Sequence, residues 1–166
     1  MINKKPPLRI AIVGLGFGEN VHIPASLSNT NIELVGLWHP RPDRLKEACN
    51  KHKLCAYETW KDLVNDSKVE GIIIATPPAP RFELALEAIK AGKHLLLEKP
   101  TCLNAEEVME LQRNSLKRNL KIAVDYEYRA VPLFMQAKRI INEKKLYEPY
   151  FVKLDWLMSS RANPDR

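Results

Sequence analysis

The chain has 166 residues, of which 45% are apolar and 28% are charged, and its formal net charge is +6. The length is sufficient for one core of ordinary domain size and too small for two such domains, and the composition is that of a soluble globular protein. No apolar run approaches the roughly 20 residues of a membrane span and the first residues lack a secretion signal, so we expect a cytoplasmic protein with no membrane partner.

The basic residues are spread over short pairs in different elements and are interrupted by acids. A nucleic-acid-binding surface would gather them on one helix face or interleave them with aromatic residues, so we expect no nucleic-acid partner. Solvated helix faces account for most of the positive charge in this interpretation, and a smaller share attracts an anionic cofactor.

Three cysteines, Cys49, Cys55 and Cys102, cannot form an even set of disulfides, as expected in a reducing compartment. Cys49, His52 and Cys55 are evenly spaced, but no obvious fourth ligand follows them. We therefore predict free thiols and no metal site.

A glycine-rich turn at residues 14–19 follows an apolar strand predicted over about Leu8 to Val13 and precedes a helix predicted to end near Ser28. Glycine lets the backbone turn sharply and approach a pyrophosphate, whose charge is met by the N–H groups at the start of the helix. The pattern predicts a dinucleotide site, although an ordinary strand-to-helix turn would explain the glycines alone. The residues of the turn predicted to bind the cofactor are Gly14, Gly16, Phe17 and Gly18.

His22 lies in the helix that follows, beside Pro24. It could face the cofactor or cap the helix, and we favour a structural role.

A second strand, predicted over Ile32 to Trp38, ends at the position that selects the cofactor. In a dinucleotide fold an acidic residue there binds the adenosine ribose and repels the extra phosphate of NADP. Here His39 and Arg41, with Arg44 nearby, offer donors and positive charge instead, so we predict that they bind the cofactor and slightly favour NADP over NAD. Alternatively, Arg41 and Arg44 only decorate the next helix, predicted from Pro42 to about Lys51.

Strands and helices continue to alternate along the chain. The alternation predicts an α/β fold with a doubly wound parallel sheet, a Rossmann fold, of six strands. The further strands are predicted at Leu54 to Tyr57, at the apolar run after Gly71, at His94 to Glu98 and at Lys121 to Asp125. The further helices are predicted from the Thr59 cap to about Asn65, from about Pro80 to Ala91 and from the Asn104 cap to about Lys117.

Two prolines stop the strand after Gly71 where a parallel sheet presents its carboxyl edge to a ligand. We therefore predict that Ala75, Thr76 and Pro77 border the cofactor.

The pattern changes past Arg129, where a helix over Val131 to Asn142 precedes an alternating strand over Phe151 to Met158. That strand has no predicted partner, and a single amphipathic strand is not stable alone, so the chain reads as cut off at the start of a second, α+β domain. We predict a Rossmann domain over residues 1–125 and an incomplete domain over 126–166. Residues 149–166 are expected either to form a homo-oligomer by pairing with the same segment of a second molecule or to be poorly ordered.

The glycine turn, Thr76-Pro77-Pro78, and Gly92-Lys93-His94 leading to Glu98-Lys99-Pro100 together resemble the glucose-fructose oxidoreductase and inositol dehydrogenase family (Gfo/Idh/MocA). In that family an N-terminal Rossmann domain binds NAD(P), and a C-terminal sheet domain supplies most of a sugar or polyol site. The resemblance implies an NAD(P)-dependent oxidoreductase with a small-molecule substrate. A non-catalytic dinucleotide-binding regulator is the alternative.

The resemblance also implies roles for individual residues. Lys99 would lie next to the nicotinamide and touch the reacting hydroxyl as the catalytic residue, and Glu98 would line the nicotinamide ribose. Arg129 matches an arginine found where the two domains meet, and a cis Lys99–Pro100 bond is expected. The aspartate and histidine that perform acid-base catalysis in relatives would lie beyond Arg166.

Three positions depart from the family pattern. Glu19 replaces the third glycine of the fingerprint, His39 occupies the usual acidic position, and Arg81 stands where relatives often carry histidine.

Overall fold

The computed structural model describes residues 6–143, 150–155 and 157. The chain divides into two compact units, Met1–Tyr126 and Glu127–Arg166. Among the described residues, no helix is both long enough and apolar enough to cross a membrane.

The first unit is a parallel sheet of five strands in the order β2-β1-β3-β4-β5. The strand order reverses between β1 and β3, which is the point where open α/β sheets bind their ligands. The strands are β1 (Leu8–Val13), β2 (Ile32–Trp38), β3 (Gly71–Ile74), β4 (His94–Glu98) and β5 (Ile122–Asp125).

Helices cover both faces of this sheet, as the alternation predicts. A π-helical turn, Gly18–His22, leads into α1 (Ile23–Leu27), and both cap residues that we predict, Thr59 and Asn104, accept a backbone hydrogen bond at a helix start. The other helices of this unit are α2 (Pro42–His52), α3 (Trp60–Asn65), α4 (Pro78–Lys90) and α5 (Ala105–Lys117).

Side chains alternate across the sheet, so each strand contributes to two separate cores. Ala11 and Val13 of β1 pack into the core beneath α3, α4 and α5, whereas Ile10 and Ile12 pack with Leu37 into the core beneath α1 and α2. The glycine turn therefore begins at the end of a strand that is buried on both faces.

The predicted third strand, Leu54 to Tyr57, is wrong. Only a single bridge joins Leu37 to Ala56, through hydrogen bonds of 2.9 Å from Leu37 N–H to the Cys55 carbonyl and from Tyr57 N–H to the Leu37 carbonyl. The Tyr57 ring lies against Gly36, where a Cβ would be 2.6 Å from Tyr57 Cε2, and Thr59 then starts α3 with a capping box. The segment leaves the sheet after one bridge, so the sheet has five strands and not six.

The second unit contains a 3₁₀ turn, Glu127–Ala130, and α6 (Pro132–Asn142), which agrees with the predicted helix. In the described part of the strand predicted over Phe151 to Met158, residues 151–155 and 157 have no regular secondary structure. Trp156 and Met158 lie outside the described residues. A strand needs a neighbour to satisfy its backbone groups, and none pairs with this segment among the described residues.

Candidate functional site

A cavity of about 490 Å³ lies at the carboxyl ends of β1, β3 and β4. It therefore occupies the topological switch point of the sheet. The predicted site residues that line it are Gly14, Gly16, Phe17, His39, Ala75, Thr76, Pro77, Glu98 and Lys99. Gly18, Arg41 and Arg44 do not line it.

The three glycines of the turn have different surroundings. Gly14 has a φ of +90°, and a Cβ on it would lie 2.7 Å from the carbonyl carbon of Ala75, so only glycine fits there. A Cβ on Gly18 would lie 3.2 Å from Ile12 Cγ2, which shows that this glycine allows the helix to pack closely on the sheet. A Cβ on Gly16 would meet no atom within 4 Å, so the backbone of Gly16 faces open space in the cavity.

These surroundings explain why Glu19 replaces the third fingerprint glycine without loss of the fold. The close helix–sheet contact is made by Gly18, one residue earlier, so position 19 accommodates a side chain. The Glu19 carboxylate accepts a 2.9 Å hydrogen bond from Lys51 Nζ and lies 3.7 Å from Arg44 Nη2. The Lys51 hydrogen bond holds the pKa of Glu19 below its usual range.

At the end of β2, His39 lines the cavity and its Nδ1 accepts a 3.1 Å hydrogen bond from the Arg41 backbone N–H. Burial lowers the pKa of His39, so at neutral pH it serves as a hydrogen-bonding group and not as a cation. Positive charge at this strand end comes from exposed Arg41 and from Arg44, which also lies near Glu19.

Arg81 connects the ends of β3 and β4 at the border of the cavity. Arg81 is 2% exposed, and its guanidinium donates to the carbonyl oxygens of Thr76, Glu98 and Pro100. Burial lowers its pKa from the ordinary arginine value. Arg81 thus holds the end of β3 against the turn after β4, which is a structural role that the sequence did not reveal.

Glu98, which ends β4, and Lys99, which follows it, line the cavity, and the predicted cis Lys99–Pro100 bond is confirmed. Glu98 is 6% exposed, and its Oε1 lies 2.8 Å from Nε2 of His22, which is itself 5% exposed. Asp125 Oδ2 is 3.8 Å from the same nitrogen. Sequence reasoning identified neither this pair nor Asp125, because the contact joins residues 76 positions apart.

His22, Glu98 and Asp125 offer ligand atoms that lie within 4.8 Å of one another. The prediction of no metal site did not anticipate this cluster. The distance between His22 and Glu98 is that of a hydrogen bond. Cys49, Cys55 and Cys102 are free thiols.

Arg129 belongs to the second unit, in the 3₁₀ turn Glu127–Ala130, and is exposed. Beside it the ring of Tyr128 meets Phe134 of α6 edge to face, with centroids 6.3 Å apart.

The cavity fits a dinucleotide on two observations. Gly16 leaves space for a pyrophosphate against its backbone, at the start of a helical segment whose first N–H groups lack helical partners. The Thr76 hydroxyl, which borders the cavity, is buried without a hydrogen-bond partner and is therefore available to a bound group. Together the sheet order, the glycine turn and this cleft define a dinucleotide-binding Rossmann domain.

Comparison with known proteins identifies the family. Residues 8–126 match the model of the Gfo/Idh/MocA oxidoreductase family, NAD-binding Rossmann fold, and the chain belongs to that family. An uncharacterized oxidoreductase of Synechocystis sp. is 35% identical over 166 residues, which cover 99% of this chain and 45% of that protein.

Two further proteins are similar to most of this chain. The inositol 2-dehydrogenase/D-chiro-inositol 3-dehydrogenase of Lactiplantibacillus plantarum is 27% identical over 147 residues, or 85% of this chain and 41% of that protein. The crystal structure of an NAD-binding protein from Listeria innocua superimposes with a TM-score of 0.76 at 28% identity, over 82% of this chain and 40% of that one. The chain therefore spans less than half of the length of each of these proteins.

Proposed function

We propose that this chain is the cofactor-binding part of an NAD(P)-dependent oxidoreductase that transfers hydride between a nicotinamide cofactor and a sugar, polyol or related hydroxy compound. The observation that carries the proposal is the cleft at the switch point, which places the open backbone of Gly16 and the side chain of Lys99 around one cavity. Membership of the oxidoreductase family and the name of the Lactiplantibacillus plantarum relative support the substrate class.

Each residue of the cavity would have a role that follows from its position. The turn at Gly14 and Gly16 and the helix that follows would hold the pyrophosphate through backbone N–H groups, and Ala75 to Pro77 would border the cofactor on its other side. The nicotinamide cofactor supplies the hydride donor or acceptor when bound. Lys99, half-buried at the cavity, would stabilise negative charge on the substrate oxygen and help to pass its proton.

We further propose that NADP is slightly preferred over NAD. His39 and not an acid stands directly after β2, and exposed Arg41 offers a cation with a planar set of donors. Arg44 contributes less in this proposal, because Glu19 lies 3.7 Å from its guanidinium and offsets its charge. His39 contributes hydrogen bonding and not charge.

We also propose a cytoplasmic location, which the free thiols of Cys49, Cys55 and Cys102 support. A small-molecule substrate and the absence of a nucleic-acid partner remain part of the same proposal.

Titration of the 166-residue chain with NADPH, NADP, NADH and NAD tests the binding function. Trp38 ends β2 beside His39, and its ring lies 5.7 Å from that of Trp60, so quenching of tryptophan fluorescence is expected to report binding. Arg41→Ala is expected to lower the affinity for NADP about tenfold, which corresponds to roughly 1.4 kcal/mol for one charge-assisted contact. The affinity for NAD is expected to stay unchanged. Arg113→Ala, which removes an exposed arginine on α5, is the matched control.

No binding of any of the four nucleotides at millimolar concentration would refute the proposed function. Equal loss of NAD and NADP in Arg41→Ala would refute the phosphate preference alone. Binding without hydride transfer by the complete protein, assayed with polyols and sugars, would identify a regulator instead of an enzyme.

A further inference from the structure

A cluster of three titratable side chains, of which His22 and Glu98 are buried and Asp125 is half-buried, lies at the carboxyl ends of β4 and β5. Nε2 of His22 is 2.8 Å from Oε1 of Glu98 and 3.8 Å from Oδ2 of Asp125. Because an ionised carboxylate only accepts hydrogen bonds, we assign a hydrogen to Nε2, which His22 donates to Glu98. With 5% and 6% of their surfaces exposed, His22 and Glu98 form this bond away from competing water.

Strand register explains why the cluster forms. Glu98 and Asp125 are direct partners in the parallel pairing of β4 with β5, so their side chains leave the sheet on the same face. His22 reaches them from the helical turn that follows the glycines. The ring of Phe17, in the glycine turn, packs edge-on against the imidazole with centroids 5.5 Å apart. His22 therefore joins the glycine turn to the ends of two strands.

The second carboxylate oxygen of Glu98 is also held. The backbone N–H of Lys99 donates to Oε2 at 3.2 Å. An ionised carboxylate has about four lone-pair sites, so both oxygens can still accept from a ligand hydroxyl in the cavity that Glu98 lines. His22 and the Lys99 N–H thus orient the carboxylate and leave part of its accepting capacity unused.

We propose that His22 is a positioning residue for the nicotinamide half of the cofactor and acts through the Glu98 carboxylate. The inference rests on the proposed function, because it takes the cavity to be the NAD(P) site. A dinucleotide at a switch point has its adenosine ribose at the end of β2, where His39 lies, and crosses the crevice between β1 and β3. The half that reaches Glu98, at the end of β4, is then the nicotinamide nucleotide.

Two ligands separate positioning from a general structural role. NADH carries both halves of the cofactor, whereas ADP keeps the adenosine and pyrophosphate and lacks the nicotinamide ribose. In the 166-residue chain, His22→Leu is expected to lower the affinity for NADH at least tenfold and the affinity for ADP less than twofold. Calorimetry measures both affinities. NADPH and 2′-phospho-ADP replace this pair if the chain prefers NADP.

A double-mutant cycle tests the route through Glu98. Glu98→Gln is expected to weaken NADH to a similar extent, and adding His22→Leu to it should change NADH affinity by less than twofold, because the group that His22 positions is already altered. His94→Leu is the matched control. His94 begins the same strand, and its Nδ1 accepts a 3.0 Å hydrogen bond from Lys121 N–H, away from the cavity.

Several results would overturn the inference. An equal loss of affinity for NADH and for ADP in His22→Leu would indicate a structural role. Additive losses of NADH affinity in the double-mutant cycle would show that His22 acts independently of Glu98. Micromolar binding of Zn²⁺ or Co²⁺ to the wild-type chain that His22→Leu abolishes would make the cluster a metal site. If the wild-type chain binds neither NAD(P)H nor ADP, the proposed function fails together with the inference, whereas NADH binding that His22→Leu leaves unchanged removes the inference alone.

Conservative variants keep the test decisive if His22→Leu does not fold. His22→Gln keeps an N–H donor at similar reach and is expected to retain NADH affinity within threefold. His22→Asn places its donor one methylene short of Glu98 and is expected to lose at least tenfold in NADH affinity while ADP still binds. Equal NADH affinities for the two variants would contradict the inference.

Discussion

Gly14 and Gly16 are two positions apart, yet glycine meets a different need at each. Gly14 is required by the protein itself, because its φ is +90° and a Cβ would overlap the peptide after Ala75. Gly16 has no such restriction, since no atom of the protein outside residues 15–17 lies within 4 Å of the position of a Cβ. The space beside Gly16 belongs to the cavity, so glycine there serves the ligand.

Gly14→Ala is therefore expected to destabilise the fold by about 2–4 kcal/mol, from backbone strain and overlap together. Gly16→Ala is expected to change stability by less than about 1 kcal/mol and to weaken NAD(P) binding at least tenfold, because its methyl group enters the phosphate position. Urea unfolding and nucleotide titration of both variants measure the two effects. Equal stability losses would show that Gly16 is also a structural requirement.

Arg81 is a buried cation whose partners are three backbone carbonyls, from Thr76, Glu98 and Pro100. Removal of its guanidinium leaves these oxygens buried without their donor. Arg81→Met is expected to lower the free energy of unfolding by about 3–5 kcal/mol, as for other broken buried charge networks.

Urea denaturation at neutral pH measures that loss, and Arg113→Met on the exposed face of α5 is the control, expected to change stability by less than about 0.5 kcal/mol. Arg81→Met with wild-type stability would show that other groups satisfy the three carbonyls.

At the scale of elements, Glu19 connects the helical segment after the glycines to α2. Its carboxylate accepts from Lys51, and His52 Nε2 lies 3.5 Å away. The hydrogen bond from Lys51 holds the pKa of Glu19 below its usual range. A depressed pKa in the folded state means that the ionised carboxylate stabilises the fold above the ordinary glutamate pKa of about 4.3, and that this contribution is lost as the pH falls through the lower, folded-state value.

We expect Glu19→Gln to be less stable than the wild type by about 1 kcal/mol at pH 7. The difference should shrink as the pH falls below about 4, because the wild-type carboxyl then becomes neutral as well. Urea midpoints across this range measure it. Glu47→Gln, at an exposed glutamate on α2, is the control and is expected to match the wild type at pH 7. A difference that does not vary with pH would point to packing and not to charge.

At the scale of the whole molecule, the strands, both cores and the cavity all belong to the unit Met1–Tyr126. A chain ending at Tyr126 is therefore expected to unfold cooperatively, with a free energy within about 1 kcal/mol of that of the full chain and with the same NAD(P) affinity. Thermal and urea unfolding of the two chains measure this. Failure of the shorter chain to fold would mean that the later residues complete its core.

We retain as a proposal that residues 149–166 mediate self-association. In the described part of that segment, the apolar side chains of Phe151, Val152, Leu154 and Leu157 are 70–92% exposed. Surfaces of this kind favour contact with a second chain. Sedimentation of the full chain and of one ending at Glu148 is expected to show association only in the former. A monomeric full chain at high micromolar concentration would contradict the proposal.

The sequence by itself determined the strand-helix alternation, the glycine turn, the caps at Thr59 and Asn104 and the edge residues Ala75 to Pro77. These features depend on neighbours a few positions away, so local chemistry specifies them. Tertiary structure alone decided that Leu54 to Tyr57 forms one bridge, between Leu37 and Ala56, and not a strand. It also decided the contact between His22 and Glu98, because strand register and helix packing bring together groups that are 76 residues apart, and no local pattern encodes that distance.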